Sequence, residues 1–371
     1  MVLGAWSLGS IIGPVVGGLL VDHVSWRYCF HINYPFCGAG FVVAALVVRL
    51  DAVEKLTFLQ KLRRMDWIGA GLFIGSMTSF LVGISSGGVL YAWRSAVTLS
   101  LIVVGLSGLV VFFRWEIYKQ EHTLLPMSIF GNWSAIAAFY GAMINGLLLF
   151  TVLYYWPFHD MSVRGSSPTQ AGVNVLPAVL FTVPGAIVVS IVTSRIGRFR
   201  WAIWSGWTIT TLACILQLLF NKKPTPVVTS VLRAVFGLGM GMALTSLNVG
   251  TQAMSRAEDA AMTASMYGFL RSLGMPLGVA LAGTIFSNSM SDKLSELRLP
   301  TSIAHESESY VLILRTMLDS SRKSTILESY KTGFESVFVM LTAISASALA
   351  FSFVIRRFSM DKKLLAQYSA R

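Results

Sequence analysis

Charged residues are scarce in this 371-residue chain. Asp, Glu, Lys and Arg make up only 12% of it, whereas 54% of the residues are hydrophobic. Soluble globular domains carry about 25% charged residues, so this chain cannot cover a water-exposed surface. The composition also excludes disorder and a collagen-like chain. The mean hydropathy of +0.67 instead predicts a polytopic membrane protein whose principal partner is the lipid bilayer.

Cysteine and the common catalytic motifs are equally scarce. The three cysteines, Cys29, Cys37 and Cys214, lie in or beside apolar runs and exclude a disulfide scaffold. The sequence has no Gly-x4-Gly-Lys-Ser/Thr loop, which argues against an ATP-driven pump. It also has no His-Glu-x2-His, Gly-x-Ser-x-Gly or Cys-x2-Cys pattern. We therefore expect no enzymatic activity, no cofactor and no metal site.

The net charge of +12 does not indicate nucleic-acid binding. The lysines and arginines form short clusters between apolar stretches rather than one basic face, a distribution typical of juxtamembrane segments. The connections after the second, fourth, sixth, eighth and tenth apolar runs hold most of them. This bias places those connections and the C-terminus in the cytoplasm, so the first helix runs outward. We expect no glycosylation of the sequon at Asn132, which falls inside.

Ten apolar runs predict ten membrane-spanning helices, because a bilayer core needs about 20 mostly apolar residues per helix. They lie at 2–21, 29–49, 67–88, 96–113, 133–157, 170–193, 201–220, 225–250, 261–287 and 334–355. The polar segment 288–333 is predicted to be an outer loop with one or two interfacial helices, or a variable connector. The first run lacks a basic n-region, so we expect it to be retained rather than cleaved as a signal peptide.

Two distant segments form an internal repeat. Ser7–Gly18 aligns without gaps to Ser272–Gly283, with five of twelve positions identical. Both helices run in the same direction, and parallel repeats are typical of transporter halves. Small residues at four-residue spacing let another backbone approach closely. The two strips comprise Gly9, Gly13, Pro14, Gly17 and Gly18 in the first copy, and Gly274, Gly278 and Gly283 in the second. Glycine-rich packing without a transport role is the alternative.

The first strip and the segment after it resemble a known family. Gly9-x3-Gly13-Pro14-x2-Gly17-Gly18 resembles the antiporter motif in the fifth helix of the major facilitator superfamily. Ser25-Trp26-Arg27, with Phe30-x-Ile32-Asn33-x-Pro35, resembles the next loop of its fourteen-helix drug:proton antiporter branch, especially the fungal members. Four further segments are similar to that branch: Arg64–Gly69, Val163–Gly172, Arg233–Gly241 and Phe269–Gly274. The resemblance covers essentially the whole chain but begins at the family's fifth helix.

This resemblance implies an all-α membrane protein with the major facilitator fold, lacking the first four helices. Residues 1–50 would be the remnant of the first bundle, 51–115 two central linker helices, and 116–371 a second six-helix bundle. The implied function is efflux of small organic molecules (a drug, toxin or secondary metabolite) by alternating access, coupled to protons in the full-length parent. The implied location is the plasma membrane or the vacuolar membrane. The alternative is a non-transporting truncated remnant or a regulatory membrane protein.

The loop after the sixth apolar run resembles one of the two cytoplasmic gating loops of this family. Arg195, Gly197 and Arg198 are similar to the second-half copy of the family's cytoplasmic Asp-Arg-x-Gly-Arg loop, although Ser194 replaces its aspartate. The predicted spans contain no central carboxylate. We therefore expect the proton carrier to belong to the family's first helices, and this chain alone not to couple transport to protons.

Polar residues inside the spans are the candidate substrate pathway, because ionisable and amide side chains are costly in lipid. The candidates are Arg271, Arg233, Asn145, Tyr140, Asn248, Gln252 and Tyr267. Both arginines could instead have structural roles, and Arg233 could reach the outer interface by snorkelling. Asn145 could instead join two helices. Tyr154, Tyr155 and Trp156 are interpreted either as an interfacial aromatic belt or as part of a cavity wall.

Overall fold

The computed structural model describes residues 2–47, 57, 60, 62, 65–119, 125, 127–220, 225–256, 259–356 and 358. Over these residues the chain is helical, and its one extended pairing is an isolated bridge between Gly87 and Tyr91. Nine helices in the described part are long and apolar enough to cross a membrane. A shorter apolar stretch, Gly9–His23, belongs to the helix that precedes them. The predicted all-α membrane architecture is confirmed.

The helices fall into three groups along the chain. The N-terminal group is α1 (Val2–His23), α2 (Tyr28–His31) and α3 (Asn33–Val47). The central group is α4 (Trp67–Ser86) and α5 (Ala96–Lys119). The C-terminal group is α6 (Trp133–Ser162), α7 (Pro168–Ile196), α8 (Arg200–Phe220), α9 (Pro226–Met254), α10 (Ala260–Glu296), α11 (Ser302–His305), α12 (Ser307–Thr316) and α13 (Ser321–Ser352).

The predicted outer loop 288–333 is too long. Residues 288–296 continue α10, and α13 already begins at Ser321, where the side chain of Ser320 accepts the backbone N–H of Lys323 and caps the helix. Only residues 297–320 connect these two helices, and they include α11 and α12. The prediction failed because a helix continues into water once its buried face has a partner, whereas a hydropathy run ends at the lipid boundary.

The C-terminal group is a bundle with a continuous core. The glycines of Arg233–Gly241 hold α9 against its neighbours, because a Cβ atom at Gly237 would collide with the carbonyl oxygen of Ala178 in α7. A Cβ atom at Gly239 would lie 2.7 Å from the backbone nitrogen of Thr210 in α8. These glycines therefore form close helix contacts in the bundle.

The central hairpin α4–α5 is closed at its base and docks on α10 at its tip. Asp66 caps α4 by accepting the N–H of Gly69 at 3.1 Å, and it pairs with Lys119 at the end of α5 at 2.8 Å. Burial alone would raise the pKa of Asp66, but these donors, with Trp115, hold that pKa below the ordinary 3.8. At the tip, Asn288 of α10 accepts from the Trp93 indole at 3.3 Å.

The N-terminal group contacts the bundle through α1. Asp22 accepts a hydrogen bond from the backbone N–H of Thr169, the second residue of α7, at 2.8 Å. In contrast, α3 has no buried residue, so its apolar side chains are available to lipid. The residues that join α1 to the C-terminal bundle therefore lie on α7.

The C-terminal bundle has a basic end and an opposite end. At the basic end, the indole of Trp204 donates to the carbonyl of Ser352 at 3.0 Å, which joins the start of α8 to the end of α13. Arg198, Arg200 and Arg356 lie at this end. The lysine and arginine distribution predicts that it faces the cytoplasm. We call the other end, which holds the ends of α1 and α6, the predicted outer end.

Candidate functional site

A buried ion pair lies near the predicted outer end of the bundle. Arg233 of α9 donates to both carboxylate oxygens of Asp160 in α6, at 2.8 and 3.0 Å. Asp160 is fully buried and Arg233 is 2% exposed. Arg233 therefore does not snorkel to the outer interface, which was one alternative for it, because its guanidinium has a carboxylate partner inside the bundle. The predicted span 133–157 was too short and left out Asp160, because α6 continues to Ser162.

Several neighbours complete the coordination of this pair. Asn174 of α7 donates to Asp160 at 3.0 Å, and its backbone carbonyl accepts from Arg233 at 2.9 Å. The Arg233 guanidinium also lies 5.1 Å from the ring centroid of Trp156. Arg164, in the turn after α6, approaches Asp160 at 3.7 Å. These additional hydrogen bonds offset part of the cost of burying the two charges, and they join α6, α7 and α9.

A second polar cluster lies deeper in the bundle and contains three of the predicted pathway residues. The Arg271 Nε donates to the side-chain oxygen of Asn145 at 3.3 Å, and the Asn145 amide donates to the carbonyl of Met240 at 3.3 Å. Tyr267, one turn before Arg271, donates to the carbonyl of Leu244 at 2.9 Å. This cluster connects α10, α6 and α9 by hydrogen bonds across the helix contacts.

The remaining pathway candidates lie elsewhere. Gln252 donates to Asn248 at 2.6 Å within α9 itself. Tyr140 pairs with the hydroxyl of Ser347 in α13 at 2.7 Å and packs on Phe351. The structure therefore brings together Arg271, Asn145 and Tyr267 but not all seven candidates. None of the seven is among the residues that line the two large cavities described next.

A cleft of about 590 Å³ separates α1 from the C-terminal bundle. Its α1 wall is the first glycine strip, where a Cβ atom at Gly9, Gly13 or Gly17 would meet no atom within 4 Å in the described part of the chain. The facing walls come from α6, α7 and α12. The facing residues are Leu153, Pro157, Met161, Pro168, Ala171, Gly172, Glu308, Val311, Leu312 and Arg315. The size and the mostly apolar lining are those of a small-molecule pocket.

The cleft closes where α1 meets α7. A Cβ atom at Gly18 would lie 2.6 Å from the carbonyl oxygen of Pro168, and one at Gly172 would collide with the carbonyl oxygen of Pro14. The segment Val163–Gly172 forms this contact through a capping box of Ser167 and Gln170 that starts α7. The antiporter-like motif and the loop into α7 therefore meet at one interface.

The second glycine strip has a different environment. A Cβ atom at Gly274 would collide with the carbonyl oxygen of Met143, and one at Gly278 would lie 2.5 Å from that of Leu147. Both contacts join α10 to α6 inside the bundle, whereas Gly283 faces the hydroxyl of Tyr155. The two strips share their sequence pattern, but only the α1 copy lines the cleft.

A second cavity of about 520 Å³ lies at the predicted outer end, between α6, α10 and the segment 302–309. Tyr155 lines it and is 3% exposed, whereas Trp156 is 1% exposed and packs on Phe236. Tyr154, at 40% exposure, donates to Glu308 at 2.5 Å. The aromatic-belt interpretation is therefore wrong for Tyr155 and Trp156, which belong to the interior of the bundle.

The loop after α7 is exposed at the basic end. Gly197 ends the helix with a φ of 66°, a left-handed conformation that favours glycine, and its N–H bonds to the carbonyl of Thr193. Arg195 and Arg198 are exposed, and neither forms an ion pair with another described residue. Both guanidinium groups therefore face the predicted cytoplasmic side.

Sequence comparison reveals fungal transporters among the relatives. The chain is 34% identical to the MFS transporter L2 of a Phoma species over 360 residues, covering 96% of this chain and 60% of L2. It is 26% identical over 377 residues to the efflux pump FUS6 of Gibberella fujikuroi, covering 99% of this chain and 68% of FUS6. The chain thus spans 60% of the length of the first of these relatives.

Structural comparison agrees on the fold. A bacterial homologue of the human lysosomal transporter Spinster, solved in an inward-facing and occupied conformation, superposes with a TM-score of 0.52. The superposition covers 94% of this chain and 81% of that protein at 16% identity, which confirms the fold alone. The family model described as Major Facilitator Superfamily matches residues 1–279. The chain therefore belongs to the major facilitator superfamily.

Proposed function

We propose that this chain forms part of a transporter that exports a small, mostly apolar organic molecule by alternating access. The cleft between α1 and the C-terminal bundle is the observation that carries this proposal. It has the volume of a small-molecule site, and one of its walls is a strip of glycines with open space in front of it. Relatives named efflux pumps support export rather than uptake.

The arrangement of the helices supports separate roles for three parts of the chain. In our proposal, residues 1–50 belong to the first bundle, 51–115 form the central pair, and 116–371 form the second bundle. The contacts of Gly18 with Pro168 and of Gly172 with Pro14 would then form the junction between α1 and α7 at which the two bundles rock. Arg195, Gly197 and Arg198 would gate the cytoplasmic side, and the membrane would be the plasma or vacuolar membrane.

We assign proton coupling to the full-length parent and not to this chain alone. The fully buried carboxylate of Asp160 is already held by two hydrogen bonds from Arg233. It therefore does not offer a free proton-binding group inside the bundle. In reconstituted chain 1–371, collapse of an imposed proton gradient with a protonophore would leave the transport rate unchanged. A rate that falls with the gradient would contradict this assignment.

The export proposal is tested with the purified chain in liposomes. N-phenyl-1-naphthylamine is a suitable probe, because this neutral dye is bright in lipid and dim in water. The liposomes are loaded with dye and diluted into a large volume of dye-free buffer, so that export runs down the dye gradient and needs no coupled ion. We expect the chain to speed the extraction of the dye and the fall of its fluorescence. Gly13→Trp fills the open face of the cleft and should slow extraction at least fivefold. Gly75→Trp is the matched control, because Gly75 is exposed on α4 and also has open space around it.

One outcome of this experiment would contradict export, and another would contradict the cleft as its route. Folded wild-type chain that does not speed the loss of dye fluorescence beyond that of protein-free liposomes would favour a non-transporting remnant or a regulatory membrane protein. Equal rates in Gly13→Trp and the wild type would show that the dye does not pass through the cleft. Size-exclusion chromatography of each variant establishes that the compared proteins are equally folded.

A further inference from the structure

The cavity of about 520 Å³ at the predicted outer end has the chemistry of a cation site. We call it the outer chamber. Among the described residues of its lining, Glu306 and Glu308 contribute carboxylates, His305 contributes an imidazole, and neither Lys nor Arg is present. This distribution is unexpected in a chain whose net charge is +12. A cavity lined by charge of one sign attracts ligands of the opposite sign.

The floor of the outer chamber is aromatic and buried. Tyr155, Phe158 and Phe286 line it, and each is at most 6% exposed. Tyr154 forms part of the rim. Aromatic faces attract cations through their quadrupole, and this attraction grows when water is excluded. Carboxylates at the mouth and aromatic rings at the floor together favour an organic cation with an apolar body.

The hydroxyl of Tyr155 provides an independent indication of a ligand. Tyr155 is only 3% exposed, yet its hydroxyl forms no hydrogen bond with any described residue. It lies beside Gly283, where a Cβ atom would be 3.3 Å from the phenolic oxygen. Gly283 lines the same chamber. The hydroxyl oxygen itself is not fully buried, so it is available to a molecule in the chamber.

The walls of the outer chamber are held in place by hydrogen bonds. Ser287 of α10 donates to the carbonyl of Ala304 at 3.0 Å, and Tyr330 of α13 donates to that of Ser307 at 2.6 Å. Tyr154 donates to Glu308 at 2.5 Å. The segment 302–309 is thereby fixed to three helices of the bundle. A site that is organised before binding loses less entropy when the ligand enters.

Glu308 connects the outer chamber to the proposed export route. It is the residue common to the linings of the outer chamber and the cleft. We propose that the outer chamber binds lipophilic organic cations, with the charge held by Glu308 and Glu306 and the apolar body on the aromatic floor. The role of this site in export rests on the proposed function, whereas binding itself does not.

Binding of tetraphenylphosphonium to the purified full chain tests this inference. We expect saturable binding that weakens as the salt concentration rises, because the attraction is electrostatic. Glu308→Gln should lower the affinity about tenfold, which corresponds to about 1.4 kcal/mol. Tetraphenylborate has the same shape and the opposite charge, so Glu308→Gln should not weaken its binding.

Two control variants separate charge from structure. Glu296→Gln removes a carboxylate that pairs with Lys293 outside the chamber, so it should leave the affinity unchanged. Asp319→Asn removes a carboxylate that pairs with Lys323 outside the chamber, and it should leave the affinity unchanged. The inference is overturned by folded wild-type protein without saturable binding, by unchanged affinity in Glu308→Gln, or by an equal loss in Asp319→Asn.

The cation-binding and dye-extraction experiments can fail independently of each other. Cation binding without dye extraction would contradict the proposed function and leave the outer chamber intact as a site. Dye extraction without cation binding would leave the proposed function intact and remove the outer chamber as a cation site.

Discussion

The ion pair of Asp160 and Arg233 makes a quantitative prediction about stability. Replacing Asp160 by leucine leaves the Arg233 guanidinium buried without a counter-ion, although Asn174 and Trp156 still contact it. Loss of one partner of a buried pair costs about 3–5 kcal/mol. Because both side chains are at most 2% exposed, we expect Asp160→Leu to fall in this range.

A double-mutant cycle isolates the pair. Arg233→Met should cost about 3–5 kcal/mol by itself, because it leaves the Asp160 carboxylate buried. The double variant should recover most of this loss, because apolar residues can replace a buried ion pair at little or no cost. The expected coupling energy is therefore about 3 kcal/mol or more. Asp319→Asn is the surface control, because the Asp319 side chain is 98% exposed, and it should cause no measurable change.

The assay is unfolding of the purified chain by sodium dodecyl sulfate in mixed micelles, followed by far-ultraviolet circular dichroism. Free energies of unfolding come from the transition midpoints of the four proteins of the cycle. If Asp160→Leu costs less than about 1 kcal/mol, the pair does not hold α6 and α9 together. If the two single losses add in the double variant, the residues do not interact energetically.

Two further predictions concern the other helix junctions. Gly172→Leu should destabilise the α1–α7 contact by about 1–3 kcal/mol, because its side chain would meet the carbonyl of Pro14. Gly13→Leu, on the open strip, should have no comparable effect in the same assay. Asp66→Asn should lower the thermal midpoint at pH 7. Because the pKa of Asp66 is depressed, its contribution is present above 3.8 and declines as the pH falls below that value, so wild type and variant should converge in acid.

The sequence predicted the helices well because lipid imposes a simple requirement. About 20 consecutive apolar residues are visible without knowledge of tertiary contacts. Residues of two family-like segments also cap helices: Asp66 caps α4, and Ser167 with Gln170 caps α7. Capping depends on residues three positions apart, so it is visible in a linear sequence.

The sequence failed where the outcome depended on partners distant along the chain. Asp160 was missed because the apolar run of α6 ended at residue 157, while the acid that neutralises Arg233 lies one turn further. The signal was Arg233 itself, since an arginine at membrane depth requires a nearby counter-charge. The two glycine strips look equivalent in sequence, but their environments differ because Gly274 packs on α6 and Gly13 faces the cleft.

Cross-linking α1 to α7 tests the central claim, that transport requires motion at their junction. The side chains of Asp22 in α1 and Thr169 in α7 are hydrogen-bonded to each other, so Asp22→Cys with Thr169→Cys, in a background without Cys29, Cys37 and Cys214, should form a disulfide. We predict dye extraction by the reduced protein, its loss on oxidation and its return on reduction. Undiminished extraction by the oxidised protein, or none by the reduced protein, would contradict the account.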